Sequence, residues 1–80
     1  FDLSEEDYSQ LMRFSRKVAL AMGKAIPCKR VGMSVIGLEV PHVHVHLIPL
    51  HAMEDATFQK KVSLSPEEFQ ATAAKIQACL

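Results

Sequence analysis

Apolar residues fall at intervals of three and four through the first third of the chain. They alternate strictly with polar ones in the middle and return to helical spacing near the end. The first pattern predicts a helix over about 5–25, with Tyr8, Leu11, Met12, Val18, Met22 and Ile26 as its core stripe. Ala19, Ala21 and Ala25 support it by propensity. Ser4 stands where an N-cap is needed, followed by Glu5, Glu6 and Asp7 in the first turn, where the helix dipole favours acids. Gly23 weakens the last turn, and Pro27 blocks continuation past Ile26.

Residues 31–36 are rich in β-branched side chains and end at Gly37, which predicts a strand. A short connection over 37–41 leads to a second strand over about 42–48, and strands joined this closely form an antiparallel pair. Pro49 is expected to end the pairing. Residues 50–64 read as polar and irregular, with an extended piece near 58–62. Ser65-Pro66-Glu67-Glu68 then makes a capping box with Pro at the first helical position. It opens a helix over about 66–79 whose apolar stripe is Phe69, Ala73, Ile76 and Leu80. Two strands are marginal as a free-standing sheet, so further strands are expected from an N-terminal part, a second subunit, or both. The start at Phe1, without Met and three residues before a helix cap, reads as the later part of a longer protein.

Composition narrows the function. Eighty residues make one small domain, and nine basic against nine acidic residues leave a formal charge of zero. That balance argues against nucleic acid as a partner, which calls for a basic face. Lys24, Lys29 and Arg30 form a local basic group and read as a solvated helix end and loop. No run approaches the roughly 18 apolar residues of a membrane span, and no signal peptide is recognisable. Cys28 and Cys79 lack CxxC spacing and read as reduced thiols of a cytoplasmic protein.

The chemistry lies in His42-Val43-His44-Val45-His46. In a strand, residues two apart share a face at a rise of roughly 6.8 Å, so three imidazoles line one side. Val43, Val45 and Leu47 fall on the other side, where they can enter a core. Imidazole adds little to strand stability, yet each ring can be nucleophile, acid, base or metal ligand near neutral pH. A strand face given over to three of them points to chemistry.

His42-Val43-His44-Val45-His46-Leu47-Ile48 resembles the signature of the histidine triad (HIT) family, in which two further hydrophobic residues follow the alternation. Gly37, Val40 and Pro41 before it, Pro49 after it, and the order of helix and strand extend the likeness over most of residues 1–64. The resemblance implies an α+β fold, an antiparallel sheet with packed helices, of which residues 1–80 are the C-terminal part. It implies a homodimer that acts as a nucleotidyl hydrolase or transferase. The substrate would be a purine nucleotide, as a phosphoramidate or dinucleotide polyphosphate, cleaved at the α-phosphate. Family members carry an N-terminal half with the base and ribose pocket, which these residues do not include. By resemblance His44 is the nucleophile that becomes nucleotidylated. His42 and His46 orient it, contact phosphate oxygens and help protonate the leaving group. The scheme needs no cofactor and no metal.

Leu38 and Glu39 stand where many members have Gln followed by Ser or Thr. That Ser or Thr is associated with the leaving-group side, which makes Glu39 a substrate-binding candidate or else a solvated loop residue. His51 lies beyond the triad and reads as a surface residue. Two other functions stay open. A His-based zinc module would need ligands from elsewhere, because three rings spread along about 13 Å of strand cannot all reach one ion. A non-catalytic nucleotide-binding dimer would keep the fold without turnover.

Overall fold

In a computed structural model that describes residues 1–38, 41–56 and 63–80, the first helix, α1, runs over Glu5–Ala25. Its start is capped as expected: Ser4 Oγ accepts from the Asp7 backbone N–H at 3.1 Å. At its end Ile26 turns to an extended conformation while its N–H still reaches the Met22 carbonyl at 2.9 Å. Pro27 follows, and the helix cannot go on. Ser15, Ala21 and Met22 are buried. Ser15 hides its hydroxyl by donating to the Leu11 carbonyl at 2.8 Å. Tyr8 departs from the predicted stripe. It is 48% exposed, because the covered side of α1 begins only at Leu11.

Two strands follow, β1 over Arg30–Ser34 and β2 over His46–Leu50, paired antiparallel with Ser34 opposite His46 and Arg30 opposite Leu50. The pairing is the expected one, but the bounds are not. β1 stops at Ser34 instead of residue 36, and β2 starts at His46 instead of residue 42. Alternation reports which way side chains would point in a strand, whereas a strand also needs a partner. No described residue of β1 stands opposite residues 42–45. Pro49 does not end the pairing either. It sits within β2 opposite Val31, since an edge strand can turn a missing N–H away from its neighbour.

The register sorts the side chains by face. Val31, Met33, Leu47 and Pro49 share one face, and Arg30, Gly32, Ser34, His46, Ile48 and Leu50 share the other. A Cβ built on Gly23 of α1 would lie 4.0 Å from Val31 Cγ2, so the Val31 face is the one against the helix. On the opposite face, a Cβ on Gly32 would stand 2.6 Å from Leu50 Cδ1. Glycine is what lets Leu50 lie across the strand there.

After β2, a 3-10 turn covers Met53–Ala56. Asp55 Oδ2 organises it by accepting from the backbone N–H groups of His51 at 2.9 Å and Ala52 at 3.1 Å. The extended piece expected near 58–62 lies outside the described residues. The second helix, α2, covers Pro66–Ala78 and carries the full capping box. The Glu68 N–H donates to Ser65 Oγ at 3.2 Å, and the Ser65 N–H donates to Glu68 Oε1 at 3.1 Å. Its covered side is Thr72, Ile76 and Cys79, while Phe69, Ala73 and Leu80 of the expected stripe are exposed. Contact with α1 is made by a face rotated slightly from the most apolar one. The architecture is α+β: two helices and a two-stranded antiparallel sheet. None of the described helices is long and apolar enough to cross a membrane.

Candidate active site

His42 and His44 precede β2, and His46 is its first residue. The rings nevertheless cluster. The centroids of His42 and His44 are 5.8 Å apart with planes at 64°, and those of His44 and His46 are 4.9 Å apart at 88°. Each neighbouring pair meets edge to face, with His44 between the other two. His44 is half-buried, whereas His42 and His46 are exposed. Of the apolar residues that alternate with them, Val45 and Leu47 are half-buried as the alternation requires, but Val43 is exposed. Val43 lies ahead of β2, where the alternation no longer fixes which residues turn inward.

One hydrogen bond orients the central ring. His44 Nδ1 lies 2.8 Å from the backbone carbonyl oxygen of His42. A carbonyl oxygen only accepts, so the proton sits on Nδ1, and in the neutral ring the lone pair is left on Nε2. The chain thus holds His44 in one tautomer without using another side chain.

His42 and His44 also line an open depression of about 460 Å³, together with Phe1, Asp2, Leu3, Val35, Ile36, Gly37, Pro41 and Val43. His46 is not in that lining. The depression has the size of a small-molecule site. Sequence reasoning passes over two of its features. The His42 carbonyl is a backbone group and leaves no mark on residue identity. Asp2 is the one carboxylate in the described lining, and no spacing rule ties residue 2 to residue 42.

Glu39 lies outside the described residues, and so does Val40. His51 is exposed on the turn after β2, where its backbone N–H serves Asp55. Cys28 and Cys79 are free thiols, each half-buried. Among the described residues, no group of three His, Cys, Asp or Glu side chains is placed to hold a metal ion, the arrangement that a zinc module requires.

Compared with known families, the HIT domain model matches residues 1–53, a stretch that takes in α1, both strands and His42, His44 and His46. No solved structure matches the chain.

Proposed function

The chain belongs to the HIT domain family, and on that footing we propose that it bears the catalytic histidines of a nucleotidyl hydrolase or transferase. The observation that carries this reading is the bond from His44 Nδ1 to the His42 carbonyl, because it leaves Nε2 free as a nucleophile beside an open depression. In the first step Nε2 attacks the α-phosphorus of a nucleotide phosphoramidate or dinucleotide polyphosphate. An N–P bond forms, the bond from phosphorus to the leaving group breaks, and the leaving group takes a proton from a neighbouring imidazole. In the second step water attacks the same phosphorus and gives up a proton to the imidazole that protonated the leaving group, the N–P bond breaks, and the nucleoside monophosphate leaves with both rings restored. Splitting one displacement into two gives each step a better leaving group or nucleophile.

His42 shares the depression with His44, which supports assigning it to phosphate-oxygen contact. His46 meets His44 edge to face and is assigned to proton delivery at the leaving group. Glu39 is proposed for the leaving-group side, where its carboxylate would select among substrates. A purine nucleotide is the expected ligand, with base and ribose contacts supplied by a further N-terminal part of the domain, of which residues 1–80 form the C-terminal part. The working protein is proposed to be a cytoplasmic homodimer.

The test uses the intact protein. Incubation with adenosine 5′-phosphoramidate, a quench in mild base and peptide mapping by mass spectrometry should find an adenylyl group on His44. An adduct on any other residue overturns the assignment. Unmodified protein without turnover would favour the non-catalytic nucleotide-binding reading.

A further inference from the structure

The open depression beside His42 and His44 lies between the chain ahead of α1 and the residues that follow β1. Apart from the two imidazoles, Asp2 is the one charged side chain in its described lining, and no described lysine or arginine lines it. The wider charge pattern has the same sign. Glu5, Glu6 and Asp7 follow in the first turn of α1, and the first basic side chain along the sequence is Arg13. The sheet adds no cation at this end, because Arg30 opens β1 and the residues past its other end, Val35 to Gly37, reach the depression. The dipole of α1 puts about half a positive charge there, less than the carboxylates of Asp2, Glu5, Glu6 and Asp7 together supply. A polyphosphate leaving group would bring several negative charges to a carboxylate, whereas an ammonium group would meet a counter-charge.

We infer that Asp2 is a specificity-determining residue: its carboxylate favours a leaving group that bears an ammonium and disfavours one that bears phosphate. This rests on the catalytic reading of the triad, and it narrows the substrate to a nucleoside 5′-phosphoramidate whose amine carries a second, cationic nitrogen. When His44 Nε2 bonds to phosphorus, the bond from phosphorus to the amine nitrogen breaks, and that nitrogen takes a proton from a neighbouring imidazole. The second nitrogen, remote from phosphorus, stays an ammonium throughout and is the group that Asp2 reads. Asp2 is exposed, so the preference is a few-fold, the scale of one solvent-screened ion pair, and it weakens as salt is added.

The experiment compares two adenosine 5′-phosphoramidates of a linear diaminoalkane in the intact protein. One keeps the free ammonium at the far end of the chain, and the other has it acetylated. The ratio of kcat/KM between the ammonium and acetylated probes should fall about 2- to 5-fold in Asp2→Asn and be restored in Asp2→Glu. Asparagine keeps the size of the side chain, so the ratio isolates the charge, and any difference in leaving-group basicity cancels between the variants. An unchanged ratio overturns the inference even where both rates fall together, since that is what a structural role would give. If the wild-type protein turns over neither probe, the enzymatic reading beneath the inference falls, and calorimetric titration with the same two probes decides the rest. An affinity difference that is lost in Asp2→Asn keeps the charge preference, and equal affinities, or none, overturn it.

Discussion

At the scale of single residues, what holds the His44 ring decides how its neighbours can be replaced. His44 is oriented by a backbone acceptor, so replacing the side chain of residue 42 leaves that acceptor in place. His42→Ala should therefore keep the tautomer of His44 and lose only a phosphate contact or proton relay, a fall in kcat of about 100-fold. His44→Ala removes the atom proposed to bond to phosphorus and should cost at least about 10⁴-fold. Nucleotide binding should change far less in either, because base and ribose contacts are assigned elsewhere. Steady-state kinetics on both variants check this, and a His42→Ala protein as inactive as His44→Ala would count against the division of roles. The triad itself is legible in the sequence, because a period of two is a property of residue identities. The carbonyl that orients it is not, because every residue has one. Glu39, also singled out by its identity, lies outside the described residues and stays a proposal.

At the scale of elements, helix ends were readable and strand ends were not, for one physical reason. Ser4 and Ser65 act on their own helices three residues away, so sequence shows both partners of the cap. A strand end is set by where the partner strand stops, and the residue opposite His46 is Ser34, twelve residues back. Helix stripes fail in the same manner: Phe69 is apolar, yet α1 meets the side at Thr72 and Ile76. The α2 cap gives a clean test. Ser65→Ala should destabilise the intact protein by about 1 kcal/mol in urea denaturation and leave activity unchanged. Replacing Glu67 and Glu68 together by Gln keeps an oxygen acceptor for the Ser65 N–H and removes two charges from the first turn. It should cost about 1 kcal/mol in all, and a loss of turnover at unchanged stability would contradict a purely structural role. In the sheet, Gly32→Val would drive Leu50 from its place across the strand. We expect a loss of about 1–3 kcal/mol by the same measurement, against no loss or a gain if Leu50 moves freely.

At the scale of the whole molecule, the exposed area is out of proportion to the mass. A folded monomer of 8.9 kDa exposes about 4,800 Å², whereas this chain exposes 6726 Å². Its radius of gyration is 13.7 Å, against about 11.6 Å for a compact chain of this length. Large apolar side chains contribute to the excess area: Phe14, Leu20, Met33, Val35, Ile36 and Phe69 are each at least 42% exposed. Among the described residues the buried core, by contrast, is Ala21 and Met22, and Ser15 is the one buried polar residue. Such a core stabilises by a few kcal/mol at most, while ordering each residue costs about 1–2 kcal/mol of backbone entropy. The two-stranded sheet also leaves open edges among the described residues, which invite further strands. Burial and pairing therefore point the same way, and we expect residues 1–80 to lack a stable fold when expressed alone as a monomer. Circular dichroism should show a broad, shallow thermal transition for the isolated polypeptide and a sharp one for the intact protein. A cooperative melt from monomeric 1–80 would mean that these elements hold each other without added strands, and the proposal that they complete a larger sheet would fall.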